Sequence, residues 1–408
     1  MRVLIISPYF PPRADSESFC GGKFAQALVD AGIETVAISS LNAAPTHPLD
    51  TSARWRTLTA LTVDVPNQTP ALTTRCRLGL RYQTTAWTGW TAAAVSKARA
   101  LHRTKPFDAL VSRSAPWYAH MAGYWIASSL RLPWLANLND PWDQSPFADD
   151  EASRTGSRPS WNAGLWRRRV LQRADIITFP CERLRDYTFR DCRRRSGVHI
   201  IPHVGATSAS PCGPERQFTI VHAGKLRSSG GGPRRANALI KALAELFEVR
   251  GTARSLTRLV FVGPEDPVLL EQASDLGVAK AVTWVGPVSY DESLEHIGKA
   301  SVCVVVEAPL KEGIFLPSKF CDYITARKPV IAMSPADGTL NDVAQEGGVL
   351  RVAPDDPDEA LTALTTLFDA FVRGSLSAFT PPRSLVSRYR ADRVVEDFLT
   401  ALREARAR

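Results

Sequence analysis

The chain carries the same alternation twice, and that repetition limits what it can become. Apolar runs of strand length stand at residues 3–7, 35–40, 107–112, 134–138, 176–179 and 199–201, with helical patterns at 22–32, 85–103, 116–131 and 163–173. Residues 43–74 are rich in Thr, Pro and Ala and read as irregular. A Ser/Pro/Cys/Gly-rich stretch follows at 207–215, where a linker is expected. The pattern then restarts, with strands at 218–222, 258–262, 282–285, 302–306 and 330–333 and helices at 233–250, 268–277 and 291–299. Two further helices, 356–371 and 391–407, end the chain. Alternating strands and helices select a parallel sheet covered by helices. At 408 residues the chain is too long for one ordinary core. The expected class is therefore α/β, with two Rossmann-like doubly wound domains.

The most chemically pointed segment is 312–329, EGIFLPSKFCDYITARKP. The apolar run before it ends in Glu307, and a short loop brings Glu312 and Gly313. Pro317 and Ser318 then open a helix, and Arg327-Lys328-Pro329 leads into the next strand. An acidic loop at the carboxyl end of a strand is thus followed at once by a helix N-terminus. Free backbone N–H groups at a helix start can hold phosphate oxygens. Flanking carboxylates can accept hydrogen bonds from sugar hydroxyls. The pair of features suits a nucleotide-linked ligand. An ordinary βαβ crossover with a solvated acidic loop explains the same letters, and both readings stand at this point.

The segment resembles the retaining glycosyltransferases of the GT-B fold, in the large group-4 class. Their signature is Glu, seven residues, Glu, then a small-residue helix ending in Gly-x-Pro-Val. One branch, slightly longer, reads Pro-Ser-Lys-x-x-Glu-Tyr, which Pro317-Ser318-Lys319-Phe320-Cys321-Asp322-Tyr323 matches with Asp322 for Glu. Glu312 falls at the first acidic position, and Arg327 stands where Gly is usual. The resemblance covers most of the chain and is weakest at 43–90 and 146–160. It implies two domains facing each other across a cleft: an N-terminal acceptor domain at 1–206, a linker at 207–216, a donor domain at 217–385, and a helix at 386–408 packing back on the first. It implies Glu312 on the donor-sugar hydroxyls, Asp322 on the ribose, and further donor contacts from Gly313, Ile314, Phe315, Leu316, Ser318 and Lys319.

Other segments resemble the same enzymes. Val221-His-Ala-Gly-Lys-Leu226 is similar to their Gly-Arg-Leu segment, which implies Lys225 on the donor diphosphate. The Gly/Ser-rich loop 227–233 leads to Arg234, whose fork suits phosphate. Pro8-Tyr-Phe-Pro-Pro12 leads to Gly21 and Gly22 at an expected helix start, again implied to face the diphosphate. Asn139-Asp140-Pro141-Trp142 is similar to Arg-Asp-Pro-Trp, so Asp140 is a candidate for an acceptor or sugar hydroxyl. His120 lies beyond a strand end and is the third catalytic candidate, with a structural histidine as the plain alternative.

The implied reaction is retaining transfer from a nucleotide-diphosphate sugar to an acceptor hydroxyl, with the leaving charge met by Lys225, Arg234 and the helix start at Ser318. The nucleotide sugar is a co-substrate, and no cofactor or metal is expected; no DxD pair stands at a strand end. A nucleotide-sugar epimerase, or a binding-only homologue with weakened catalysis, is the rival. A dehydrogenase is disfavoured because no strand is followed by GxGxxG. Nucleic acid is disfavoured as a partner by the doubled pattern, despite a net charge of +9. Residues 167–195 hold ten arginines against four acids, with an apolar stripe through Trp161 and Trp166. This admits a core helix or an interfacial one touching a membrane. The acceptor is expected on the N-terminal half as a glycan, a lipid-linked glycan or an aromatic aglycone. No apolar run reaches the length of a membrane span, and the seven cysteines show no zinc spacing. They read as reduced thiols of a cytoplasmic protein, with the inner membrane face as a peripheral alternative.

Overall fold

The computed structural model describes residues 1–40, 48–66, 72–73, 87–142, 146, 161–192, 197–208, 216–226 and 234–407. The chain divides into two compact units, Met1–Pro202 with Asp392–Arg408, and His203–Ala391.

The first unit is built on strands β1 (Arg2–Ile6), β2 (Glu34–Ser39), β3 (Thr62–Asp64), β4 (Ala109–Arg113), β5 (Trp134–Asn137), β6 (Ile176–Phe179) and β7 (Val198–Ile200). They form one parallel sheet in the order β3-β2-β1-β4-β5-β6-β7. Val3 to Ile6 have no exposed surface, which is why β1 reads as an unbroken apolar run rather than an alternating one. Strand order reverses between β1 and β4, and in such sheets the crevice beyond those two carboxyl ends is the place for a ligand. The last helix, Ala391–Ala407, belongs to this unit. Phe398 meets Phe24 edge-on at 5.1 Å, and Glu404 bonds His199 at 2.7 Å.

The second unit repeats the plan with β8 (Phe218–Ala223), β9 (Thr257–Val262), β10 (Val282–Trp284), β11 (Val302–Val306), β12 (Val330–Met333) and β13 (Val349–Val352). Their order is β10-β9-β8-β11-β12-β13, again all parallel. The reversal falls between β8 and β11. Helix Asn237–Val249 packs an apolar face of Leu239, Leu243 and Leu246 into a core shared with Leu364 and Phe368 of helix Pro357–Val372.

Several details differ from the sequence expectation. The unit boundary lies at 202/203, ahead of the linker expected at 207–216, because residues 205 and 206 are tied to the second unit. Gly205 N–H donates to Tyr389 O at 2.8 Å and Ala206 N–H to Asp322 Oδ1 at 2.9 Å. Residues 209–215 of that linker and the whole loop 227–233 lie outside the described residues. The stretch read as irregular contains helix Arg56–Leu61 and β3. Trp55, just before the helix, is buried and donates Nε1–H to Asp50 at 2.9 Å, and β3 is held by its pairing with β2.

The first helix starts at Ser16, six residues before the expected start at Gly22, because Asp15 caps it by accepting the Ser18 N–H. Gly21 and Gly22 therefore sit inside the helix. A Cβ on Gly22 would collide with Pro11 and lie 2.8 Å from Trp55 Cζ3. One on Gly21 would touch Phe10 at 3.4 Å, an ordinary contact, so close packing against the Pro-rich loop explains Gly22 alone.

Helix Trp161–Arg173 turns Trp166, Val170 and Leu171 into the core, where Trp166 meets Tyr124 at 5.7 Å. Arg167 is buried too, bound to Asp191 at 2.7 and 2.8 Å, which holds that carboxyl well below its usual range. Trp166, Val170 and Leu171 of the stripe are thus core residues, while Leu165, Arg168 and Arg169 are exposed. No helix among the described residues is long and apolar enough to cross a membrane.

Candidate functional site

In the second unit, the ends of β8 and β11 and the start of helix Ser318–Thr325 come together. β8 runs out through His222 and Ala223 into Gly224, whose φ of +116° calls for glycine. The Lys319 ammonium lies directly against Gly224, in the space a Cβ there would fill. Burial and the Arg234 guanidinium push Lys319 down to about 7, while Asp322 pulls it upward. Lys319 comes from the first turn of a helix whose N-cap, Pro317, supplies no side-chain cap to the N–H groups of that turn.

His222 is buried, and its Nδ1 donates to Val304 O at 3.0 Å. Its Nε2 then carries a lone pair that finds no partner. Burial first, then Lys319, hold the ring neutral. Glu307, just past the end of β11, is buried, and its carboxyl is pushed up to about 7 by burial, with Ser334 and Arg234 acting against the rise. Its Oε2 has no hydrogen-bond partner. That oxygen lies 3.4 Å from where a Gly313 Cβ would stand, so the loop passes in contact with it.

Gly313 anchors the acidic loop: its N–H donates to Asp337 O at 2.8 Å and its carbonyl accepts Thr339 N–H at 2.7 Å. Glu312 and Phe315 are half-buried beside it, as is Ser318. Ile314 and Leu316 bury their side chains, so backbone is what they offer a ligand. Lys225 and Arg234 are both exposed, and the Arg234 charge acts on Lys319, His222 and Glu307.

Asp322 is buried, with Oδ2 accepting Tyr290 Oη–H at 2.9 Å and Oδ1 accepting the Ala206 N–H. Tyr323 places its hydroxyl under Ala223 N–H at 2.9 Å, which joins the helix to the end of β8.

A second cluster lies in the first unit, beyond β1, β4 and β5. His120 is fully buried with Nδ1 2.8 Å from Ser112 Oγ, and its ring meets Trp142 at 5.4 Å. Asp140 is half-buried in the same loop. Glu17 reaches in from the first helix, accepting Ala115 N–H at 3.1 Å and Asn139 Nδ2–H at 3.2 Å through Oε2. Burial, Cys20 and Asp140 raise the Glu17 carboxyl well above its usual value, against Arg113 and Asn139.

Sequence reading missed Glu17, His222, Tyr290 and the chemistry of Glu307. A carboxyl or imidazole closing an otherwise apolar strand was a usable signal for Glu307 and His222. Glu17 offered none, since its partners lie 98 and 122 residues away.

Comparison with known proteins agrees with this layout. Residues 22–203 match the glycosyl transferase 4-like domain family. No curated protein matches the chain. Sucrose-phosphate synthase from Thermosynechococcus elongatus superposes with a TM-score of 0.67 at 16% identity, covering 100% of this chain and 99% of that one. Anabaena HepE, in complex with UDP and glucose, gives 0.67 at 14% identity over 98% and 99%. A UDP-N-acetylglucosamine 2-epimerase gives a lower 0.57 at 13% identity over 97% and 95%. The fold is GT-B, as two Rossmann-like units.

Proposed function

We propose that this chain, a GT-B glycosyltransferase whose residues 22–203 are a glycosyl transferase 4-like domain, is a retaining enzyme of glycan, glycolipid or glycosylated-metabolite synthesis. It moves a sugar from a nucleoside-diphosphate sugar to an acceptor hydroxyl. The observation that carries this reading is the meeting of Lys319, Gly224 and an uncapped helix start at the switch point of the second sheet.

In the reaction, the bond from the anomeric carbon to the diphosphate oxygen breaks and a bond to the acceptor oxygen forms on the same face. The hydroxyl proton passes to the departing diphosphate. Negative charge grows on that diphosphate, and fixed positive groups speed the step only if they meet it better as it leaves. Lys319, Arg234, Lys225 and the N–H groups at Ser318 and Lys319 supply this field. Glu312 accepts hydrogen bonds from the donor-sugar hydroxyls. Each Asp322 oxygen has two lone pairs, so a ribose hydroxyl can share them with Tyr290 and Ala206. Glu307, held near neutrality in its pKa, sits behind the loop and spares the diphosphate a full opposing charge.

Incubation with a panel of nucleotide sugars, read by thermal protection and then by product NMR with sugar acceptors, tests the reading. Protection plus a product of unchanged anomeric configuration supports it, and an inverted product removes the retaining assignment. Conversion of the nucleotide sugar with no acceptor present would favour the epimerase rival. Binding without turnover would favour the binding-only homologue.

A further inference from the structure

The chain passes between its two units at 202/203 and again at 391/392. On the second unit's side, both passages rest on helix Ser318–Thr325. At the first, Gly205 is buried against the second turn of that helix, where a Cβ would collide with Thr325 Oγ1 and with the Cys321 carbonyl oxygen. Thr325 Oγ1 is held in place, because it donates to that same carbonyl at 2.7 Å. One of the two obstacles is backbone, so glycine is what brings the junction this close. At the second passage, the Tyr389 carbonyl accepts the Gly205 N–H at 2.8 Å, and the buried Tyr389 ring meets Phe320 edge-on at 6.1 Å. Glu346 fastens the neighbouring Arg388, with each carboxylate oxygen 2.7 Å from a guanidinium nitrogen.

The close approach lets Ala206, the next residue, donate its N–H to Asp322 Oδ1 at 2.9 Å. Tyr290, at the start of helix Tyr290–Lys299, donates its hydroxyl hydrogen to Oδ2, also at 2.9 Å. An aspartate side chain turns about only two bonds, and donors from two separate elements on its two oxygens fix both. Asp322 is 3% exposed, so these donors rather than bulk water set the plane of the carboxylate. The helix that presents Lys319 and Ser318 at its first turn therefore has its acid, one turn on, oriented by the chain's own junction.

We propose that Gly205 and Ala206 of the junction, together with Tyr290, are positioning residues of the donor site, holding Asp322 in the orientation that meets the ribose hydroxyls. The inference rests on the glycosyl-transfer reading, which puts the ribose on Asp322. The coupling runs both ways: a ribose held on Asp322 must in turn steady the Ala206 N–H. A nucleotide lacking those hydroxyls gains nothing from the junction and does not steady it.

Calorimetry on the full chain, with UDP, ADP and GDP each set against its 2′,3′-dideoxy analogue, tests the proposal. The ribose form of the tightest nucleotide should bind better than its analogue by about tenfold or more, as for a hydrogen bond to a charged group. Gly205→Ala and Tyr290→Phe should each cut that preference by about threefold or more and leave affinity for the dideoxy form unchanged. A merely structural role would weaken both forms alike, and that result overturns the proposal. Hydrogen exchange in the wild-type protein gives the reciprocal measurement and needs no variant to fold. The ribose form should slow the amides of residues 203–206 and the dideoxy form should not; equal protection by both overturns the proposal. A nucleotide that binds equally well without its ribose hydroxyls also overturns it and leaves glycosyl transfer standing. If none of the three nucleotides binds, the transfer reading falls and this inference falls with it.

Discussion

Tyr290 donates its hydroxyl hydrogen to Asp322 Oδ2 at 2.9 Å, while the other oxygen of that carboxylate takes the Ala206 N–H. The second acidic position of the motif is therefore also a clasp inside its own unit. Tyr290→Phe removes a hydrogen bond to a charged group and should cost about 1–3 kcal/mol. Asp322→Glu restores the residue of the branch this segment resembles, yet it adds a methylene where both oxygens are already in place. We expect it to lose about 1–3 kcal/mol through overpacking. Urea unfolding of the two variants measures both costs, and an Asp322→Glu protein as stable as wild type would show that the cavity still accommodates the longer acid.

Glu307 should make stability depend on pH. Its carboxyl is raised to about 7 from the ordinary 4.5. Between those values the folded chain holds a proton that the unfolded chain has released, so stability falls as pH rises across the window. The loss is up to about 3 kcal/mol. Glu307→Gln should flatten that slope and raise the melting temperature at pH 7.5. Denaturant titrations at pH 5 and 7.5 decide the matter; an identical slope in the variant assigns the effect to another group.

Lys319 acts in the adjoining window with the opposite sign. Its pKa is lowered to about 7 from 10.5. Between these values the unfolded chain holds the extra proton, so stability rises with pH there. A diphosphate beside the ammonium favours the charged form, so UDP binding at pH 8 should draw in a proton and weaken as pH rises beyond 7. Calorimetry in buffers of different ionisation enthalpy reads the uptake. Lys319→Met should abolish the buffer dependence and weaken binding about tenfold or more, as expected for a lost charge-assisted contact. Persistence of the uptake in that variant would move the titration to a different residue.

Gly22→Ala should destabilise the first unit although it lies in a helix interior, where alanine is ordinarily better by about 1 kcal/mol. The new Cβ would meet Pro11 and the Trp55 ring, neither of which can swing aside. A net loss of about 1–3 kcal/mol is expected. Gly251→Ala, where a Cβ would meet nothing within 4 Å, is the control and should change the melting temperature little.

The two sheets were legible because their central strands are buried on both faces, and such strands write themselves as unbroken apolar runs. β3 and β13 were not. β3 is a three-residue edge strand held by its pairing with β2, and β13 is interrupted by Arg351, whose guanidinium reaches Ser334 O at 3.1 Å. The helix start at Ser16 was obscured for a similar reason. Gly21-Gly22 looks like punctuation, while Gly22 answers to Pro11 and Trp55 across space.

Sequence by itself determined the doubled α/β plan, the switch-point loops and the residue types of the phosphate-facing helix start, because these depend on local period and composition. Tertiary structure alone decided which ionisable groups are unusual. The titration of Glu17, His222, Glu307 and Lys319 is set by burial and by neighbours from other strands and helices. A side chain's solvation depends on everything folded around it, and no window of neighbouring letters contains that information.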